Sequence, residues 1–296
     1  MRRALLLLLL ALPACDSFRP ASLVESLRVL ALRAEPAEIG SGEQATIRSL
    51  VVDLDAAPDA ITYEWALCDK RPKVGVDVDP DCYDLDTADF LVPLPSLPGG
   101  TTQVTMPQRT VGDFGLPDPS GGFYVPVRLR VSAGGVRITA FHRLRWKAGF
   151  VPPNENPTLA GIGFLPTGVD GDLPDLGPPV DPQPLVDGTP FEAPLGGKIR
   201  LRASDAPGSS ESYTTIIGDP RDLRTGTVTE GVRFFWYLSA GKADPDVSGE
   251  ARPDAVVDTT TYPESIAPRG GLVDVWLVAR EERGGVDFLH RQLLLK

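Results

Sequence analysis

Two histidines are the whole imidazole supply of this 296-residue chain, so they are the first place to look for proton-transfer chemistry. His142 lies in phase with Val136, Ile138, Leu144 and Trp146, and His290 lies in phase with Val286 and Phe288. Period-two spacing of this kind places each ring on the core side of a strand. Their equivalent places in separate halves of the chain argue against one shared site. No G-x-S-x-G elbow, H-E-x-x-H pair or phosphate loop accompanies them, and the chain is not expected to be an enzyme.

Carboxylates are more plentiful. Asp77, Asp79, Asp81, Asp84, Asp86 and Asp89 crowd one loop, and Asp170, Asp172 and Asp175 another. Hard cations such as Ca2+ want several oxygens on flexible backbone. The EF-hand spacing fails, because counting from Asp77 puts Cys82 where Gly is required and Ala88 where Glu is required. Solvated acidic loops with no cofactor are the expectation, and Ca2+ on Asp77, Asp79, Asp81 and Asp84 is the alternative. Paired carboxylates for glycoside hydrolysis would need a sugar cleft between them, which nothing in the sequence supplies.

The first residues decide where any such chemistry would take place. Arg2 and Arg3 precede an apolar run from Ala4 to Leu12, the pattern of a secretory leader. A helix over Ala4 to Ala14 would reach about 16 Å, against the roughly 30 Å needed to span a bilayer. The tetrad Leu12-Pro13-Ala14-Cys15 resembles the bacterial lipobox. That resemblance implies cleavage before Cys15, a diacylglyceryl group on its sulfur and an acyl chain such as palmitate on the new amino terminus. It places the mature protein in the cell envelope, lipid-anchored to the inner or outer membrane and facing the periplasm or the cell surface. Asp16 resembles the inner-membrane retention signal of enteric bacteria, and the choice of membrane stays open. With Cys15 lipidated, Cys68 and Cys82 are an even pair in an oxidising compartment and are expected to form one disulfide.

The chain carries a net charge of −11, and a leader with two arginines and no acids leaves −13 after cleavage. This balance repels phosphate backbones and excludes nucleic acid as a partner. Thirty glycines and thirty prolines point away from helices and toward an all-β class. Residues 1–14 are the signal peptide, and residues 15–26 read as a short polar tether that holds the first domain near the bilayer, no more than about 35 Å from it. Strand-like segments follow at 27–34, 44–52, 61–67, 101–106, 123–131 and 136–146. Residues 148–157, with Pro152-Pro153 and Asn156-Pro157, have the composition of a semi-rigid connector. A second set of strands is expected at 158–164, 198–203, 213–217, 231–238, 255–261, 272–280 and 286–295, with 166–194 a long surface loop.

The halves 27–147 and 158–296 repeat each other. Ile61-x-Tyr63-x-Trp65-x-Leu67 matches Val232-x-Phe234-x-Trp236-x-Leu238, and each half ends in a Gly-Gly turn (Gly134-Gly135, Gly284-Gly285) followed by a His-Arg strand. A Trp on a central strand with a closing hairpin resembles the immunoglobulin-like and PKD-like superfamilies, which implies two tandem antiparallel β-sandwiches. The lipobox followed by Leu27-Arg28-Val29-Leu30-Ala31-Leu32-Arg33-Ala34-Glu35-Pro36 also resembles envelope lipoproteins of GC-rich Gram-negative bacteria.

In the second half, Phe235 and Tyr237 fall on the face opposite the core, as do Trp276 and Val278. Strands paired as in immunoglobulin-like sandwiches would merge them into one apolar patch, a surface for a partner or ligand unless a long loop or the first domain covers it. The functional expectation is a lipid-anchored, non-enzymatic envelope protein acting in adhesion, scaffolding or assembly with envelope partners. The alternative is a carbohydrate-binding module that grips peptidoglycan or exopolysaccharide through Phe235, Tyr237 and Trp276.

Overall fold

Alternation of β-branched and aromatic residues with polar ones, punctuated by glycine turns, produces strands along the chain. The computed structural model describes residues 19–70, 78–84, 88–114, 120–147, 152–165, 181–217, 224–261 and 269–296. In the first half these strands are β1 (Arg28–Glu35), β2 (Glu38–Ile39), β3 (Gln44–Val52), β4 (Thr62–Cys68), β5 (Leu91–Leu94), β6 (Thr101–Thr105), β7 (Phe123–Ala133) and β8 (Val136–Trp146). One sheet has the order β1-β3-β6, and the facing sheet has the order β2-β8-β7-β4-β5.

The second half begins with β9 (Leu159–Leu165), β10 (Gln183–Pro184), β11 (Phe191–Ala193) and β12 (Lys198–Asp205). A hairpin of β13 (Ser212–Ile217) and β14 (Arg224–Thr229) leads to β15 (Arg233–Leu238), β16 (Lys242–Asp244) and β17 (Val247–Gly249). The last strands are β18 (Asp254–Asp258), β19 (Leu272–Arg280) and β20 (Val286–Leu295). Their sheets run β10-β9-β12-β18-β16 and β11-β20-β19-β15-β17.

Both halves follow one plan. A short second segment crosses between the sheets to pair parallel with the final strand, β2 with β8 and β11 with β20, while the other ladders are antiparallel. The strand bearing the repeated Trp sits beside the closing hairpin in each half. This is an immunoglobulin-like sandwich made twice. Trp65 and Leu67 fill the first core, with Ile47, Val127, Leu129 and Leu144. Phe234, Trp236 and Leu238 are fully buried in the second, where the Trp236 indole donates to Ser248 Oγ at 2.9 Å.

Cys68 and Cys82 form the expected disulfide, with Cα atoms 6.1 Å apart. At the C-terminal end of the loop it closes, Arg128 and Arg130 of β7 donate to the Cys82 and Tyr83 carbonyls at 3.0 and 2.9 Å. Closing a loop of this length stabilises the fold by about 3 kcal/mol in the chain-entropy model. A Cys68→Ser/Cys82→Ser variant should lose about that amount in urea unfolding, and an unchanged midpoint would show that the arginines hold the loop unaided.

Three features depart from the sequence reading. Residues 20–26, within the expected tether at 15–26, are not free. While Leu27 enters the core of the first sandwich, Ser22, Leu23 and Val24 are buried and run against the second. There Val24 N donates to Leu238 O and Leu238 N to Ser22 O, both at 2.8 Å. Secondly, residues 181–194 of the expected long loop supply the edge strands β10 and β11. Thirdly, the connector is a latch. Asn156 Nδ2 donates to Ala34 O of β1 at 2.6 Å, and its Oδ1 accepts from Val286 N of β20 at 2.9 Å. Asn154 N donates to Glu38 at 2.7 Å, and its side-chain amide donates to Glu281. Each asparagine thus ties one sandwich to the other.

Candidate functional site at the domain junction

The aromatic residues do come together as the strand pairing requires, with Tyr237 opposite Trp276 and Phe235 opposite Val278. They do not form an exposed patch. Leu30, Ala31, Leu50, Val52 and Leu54 of the first sandwich and Val24 of the N-terminal segment pack on them. Trp276 is 6% exposed. Arg28 lies over the Tyr237 ring at 5.2 Å and Arg280 over Phe235 at 4.8 Å, so the cations of both halves seal the rim. A surface that would aggregate if bare is satisfied within the chain. The carbohydrate platform expected at Phe235, Tyr237 and Trp276 is therefore corrected to an interdomain core.

The histidines also separate in role. His290 faces outward beside that core rather than into its sandwich. It stacks on Trp276 with ring centroids 5.5 Å apart and contacts Asp274 Oδ1 at 2.8 Å. Burial would raise the Asp274 pKa, but hydrogen bonds from His290 and Gln292 and the Arg269 charge bring it down to about 2. The sequence phase misassigned His290 because its alternate neighbours Val286 and Phe288 are apolar toward the other domain, not toward their own core.

His142 does point inward, at the edge of the first sandwich. One ring nitrogen bonds to the backbone of Leu32 in β1, while Nε2 is buried with no partner. Burial, aided by the Arg280 charge and opposed by the Leu32 bond, lowers its pKa from 6.5 to about 4. The folded ring is neutral where the unfolded ring takes up a proton, so stability falls as pH drops through that window, by about 3 kcal/mol in all. Urea midpoints measured from pH 7 to pH 4 should show this slope, and His142→Phe should flatten it. A slope of the same size in the variant would assign it to other groups.

Around the latch lies a buried polar network. Arg283, 1% exposed, donates to Glu230 at 3.0 Å, to Glu211, and to Pro152 O at 3.2 Å, and lies over the Tyr213 ring at 4.6 Å. On the side of the first sandwich, Glu38 meets Arg145 at 3.4 Å, and Arg145 donates to Ser120 Oγ and Tyr124 OH, both at 2.9 Å. Burial pushes the Glu38 carboxyl above its usual range against the Asn154 amide and the Arg145 charge, and burial likewise raises Glu211. The Gly284-Gly285 turn noticed in the sequence has its reason here, since a Cβ at Gly285 would stand 2.2 Å from Glu281 Oε1.

In the acidic loop, Lys70 joins two of the four proposed metal ligands, approaching Asp79 at 3.1 Å and pairing with Asp81. Asp84 is exposed, and Asp77, Asp86, Asp170, Asp172 and Asp175 lie outside the described residues, as does Cys15. Among the described residues no group of three His, Cys, Asp or Glu side chains converges as a metal site requires.

No protein-family model and no curated protein matches the chain. Among solved structures it is similar to a chimeric titin Z1Z2-Z1Z2 tandem, 10% identical over 91% of this chain and 99% of that one, with a TM-score of 0.25. It is similar to murine CEACAM1b, 9% identical over 91% of this chain and 100% of that one, TM-score 0.22. It is also similar to the Yersinia pseudotuberculosis adhesin InvE, 11% identical over 89% of this chain and 58% of that one, TM-score 0.19. The immunoglobulin-like assignment rests on the strand order and the parallel pairing of β2 and β11, not on these scores.

Proposed function

We propose that the chain is a lipid-anchored envelope protein of non-enzymatic type, whose two sandwiches act as one rigid body in adhesion, scaffolding or assembly with envelope partners. The observation that carries this reading is the docking of residues 22–24 against the second sandwich, which couples an anchor at Cys15 to the whole body. Ser22 Oγ accepts from Ala243 N at 3.4 Å, so the entry point lies beside the β15–β16 turn. Arg19 is four residues from Cys15, a reach of about 14 Å when extended. The end of the second sandwich, not the first domain, then faces the bilayer, and the first is held by the latch. Two or three acyl chains give stable attachment where one would be marginal.

Metabolic labelling of cells with an alkynyl palmitate tests the anchor. Label should appear on the wild-type chain in the membrane fraction and vanish in Cys15→Ala. An unlabelled wild-type chain would sink the proposal.

A further inference from the structure

On its side away from β7, β8 is covered only at its far end, where β2 pairs with Arg145 and Trp146. The two-residue Gly134-Gly135 turn makes Ala133 and Val136 a hydrogen-bonded pair, so Val136, Ile138, Ala140 and His142 bond to β7. The backbone of the residues between them points away from the sheet. Lys147 N, in the same phase, donates outward to Ile39 O at 3.0 Å. Among the described residues, the outward N–H and C=O groups of Arg137, Thr139 and Phe141 meet no partner.

The duplication supplies a comparison. In the second sandwich the matching edge of β20 is capped by side chains: Val286 N donates to Asn156 Oδ1 at 2.9 Å, and His290 O accepts from Arg291 Nη1 at 2.6 Å. The edge strands β5 and β10 carry Pro93 and Pro184, which block strand addition, and β16 and β17 are three residues long. From Val136 to Phe141 the β8 edge has neither cap nor proline. Val136 is 50% exposed, and Arg137 and Thr139 are exposed beside it. Such an edge is a template for another strand.

The sequence of this edge fits itself. Because β2 holds the edge from Arg145 onward, an added strand must end before that point. Antiparallel pairing of two copies centred on Ile138 meets this condition. Ile138 then faces Ile138, Arg137 faces Thr139, and Phe141 faces Gly135 of the other copy. The outward groups of Arg137 and Thr139 bond reciprocally, four hydrogen bonds about a two-fold axis. A β-branched pair meets on one face, an aromatic ring lies over a glycine on the other, and no like charges stand directly opposite. Centring on Arg137 would set two arginines face to face, and centring on Thr139 would drive the glycine turn toward β2.

We propose that the chain pairs with a second copy of itself through β8, joining the two five-stranded sheets into one. The pairing needs only the first sandwich and no acyl chain, so it stands or falls apart from the anchor.

The test is sedimentation equilibrium of the full chain in density-matched detergent, with micelles in excess of protein. The chain should have dimer mass by about 100 μM, where micromolar affinity is saturating. Thr139→Pro removes an outward N–H that no internal bond uses, so it should fold and have monomer mass. In a Cys15→Ser chain, Ile138→Cys should give an oxidised covalent dimer, since opposed residues bring their Cα atoms to about 4.5 Å. Val136→Cys, more exposed but displaced from its own copy across the axis, should not. A monomeric chain, a dimer that survives Thr139→Pro, or cross-linking at Val136→Cys as complete as at Ile138→Cys would each overturn the proposal. Because the edge includes Val136, distances measured within one copy from that position call for labelled chain diluted in unlabelled chain.

Discussion

Replacing Arg283 by Met is expected to lower unfolding stability by about 3–5 kcal/mol, the cost of leaving buried acids without their cation. Arg283 and Glu230 are each 1% exposed, and Glu211 completes the set. Burial opposes the Arg283 charge, but the two glutamates hold its pKa above the usual value, so the pair is mutually dependent. Because the deficit comes from the stranded carboxylates, Glu230→Gln added to Arg283→Met should recover part of it. Urea midpoints of the single and double variants measure both terms. Additive losses would show that the groups do not act as a unit.

The second large effect is at Trp276. Truncation to Ala should cost about 3–5 kcal/mol, the range for a large aromatic removed from a packed site. Its neighbours Leu30, Ala31 and Val52 belong to the other sandwich, so the loss should also loosen the domain junction and expose the 152–157 connector to protease. An exposed ligand-binding Trp would behave differently, since surface substitutions usually stay within about 0.5 kcal/mol. A stable, protease-resistant Trp276→Ala chain would restore the binding-patch reading.

Much of the fold was legible because the signals are local. β3, β8, β19 and β20 follow directly from alternation and glycine turns, and the twin Trp strands β4 and β15 declare the duplication. Among the strands that escaped notice are short edges, some containing Pro: Leu91–Leu94, Gln183–Pro184, and the two-residue Glu38–Ile39. An edge strand needs only one partner and carries little pattern of its own.

The candidate site was legible only in part. The outward phase of Phe235, Tyr237, Trp276 and Val278 was readable, but what covers them is set by segments more than 170 residues earlier, and no periodicity encodes that. A signal was present in Leu23 and Val24, two apolar residues in a stretch read as tether, which both become buried. The latch hides for a different reason. Pro152, Asn154 and Asn156 look like linker composition, and only the carbonyls and carboxylates that meet them from both sides turn them into a joint.

The most direct test of one rigid body is an electron–electron distance measurement between spin labels at Val136 and Leu195, exposed positions in the first and second sandwich, in a chain carrying Cys15→Ser. A single narrow distance distribution that broadens in Trp276→Ala is the predicted result. A broad distribution already present in the chain with Trp276 intact would contradict it, and would return residues 148–157 to the role of a flexible connector.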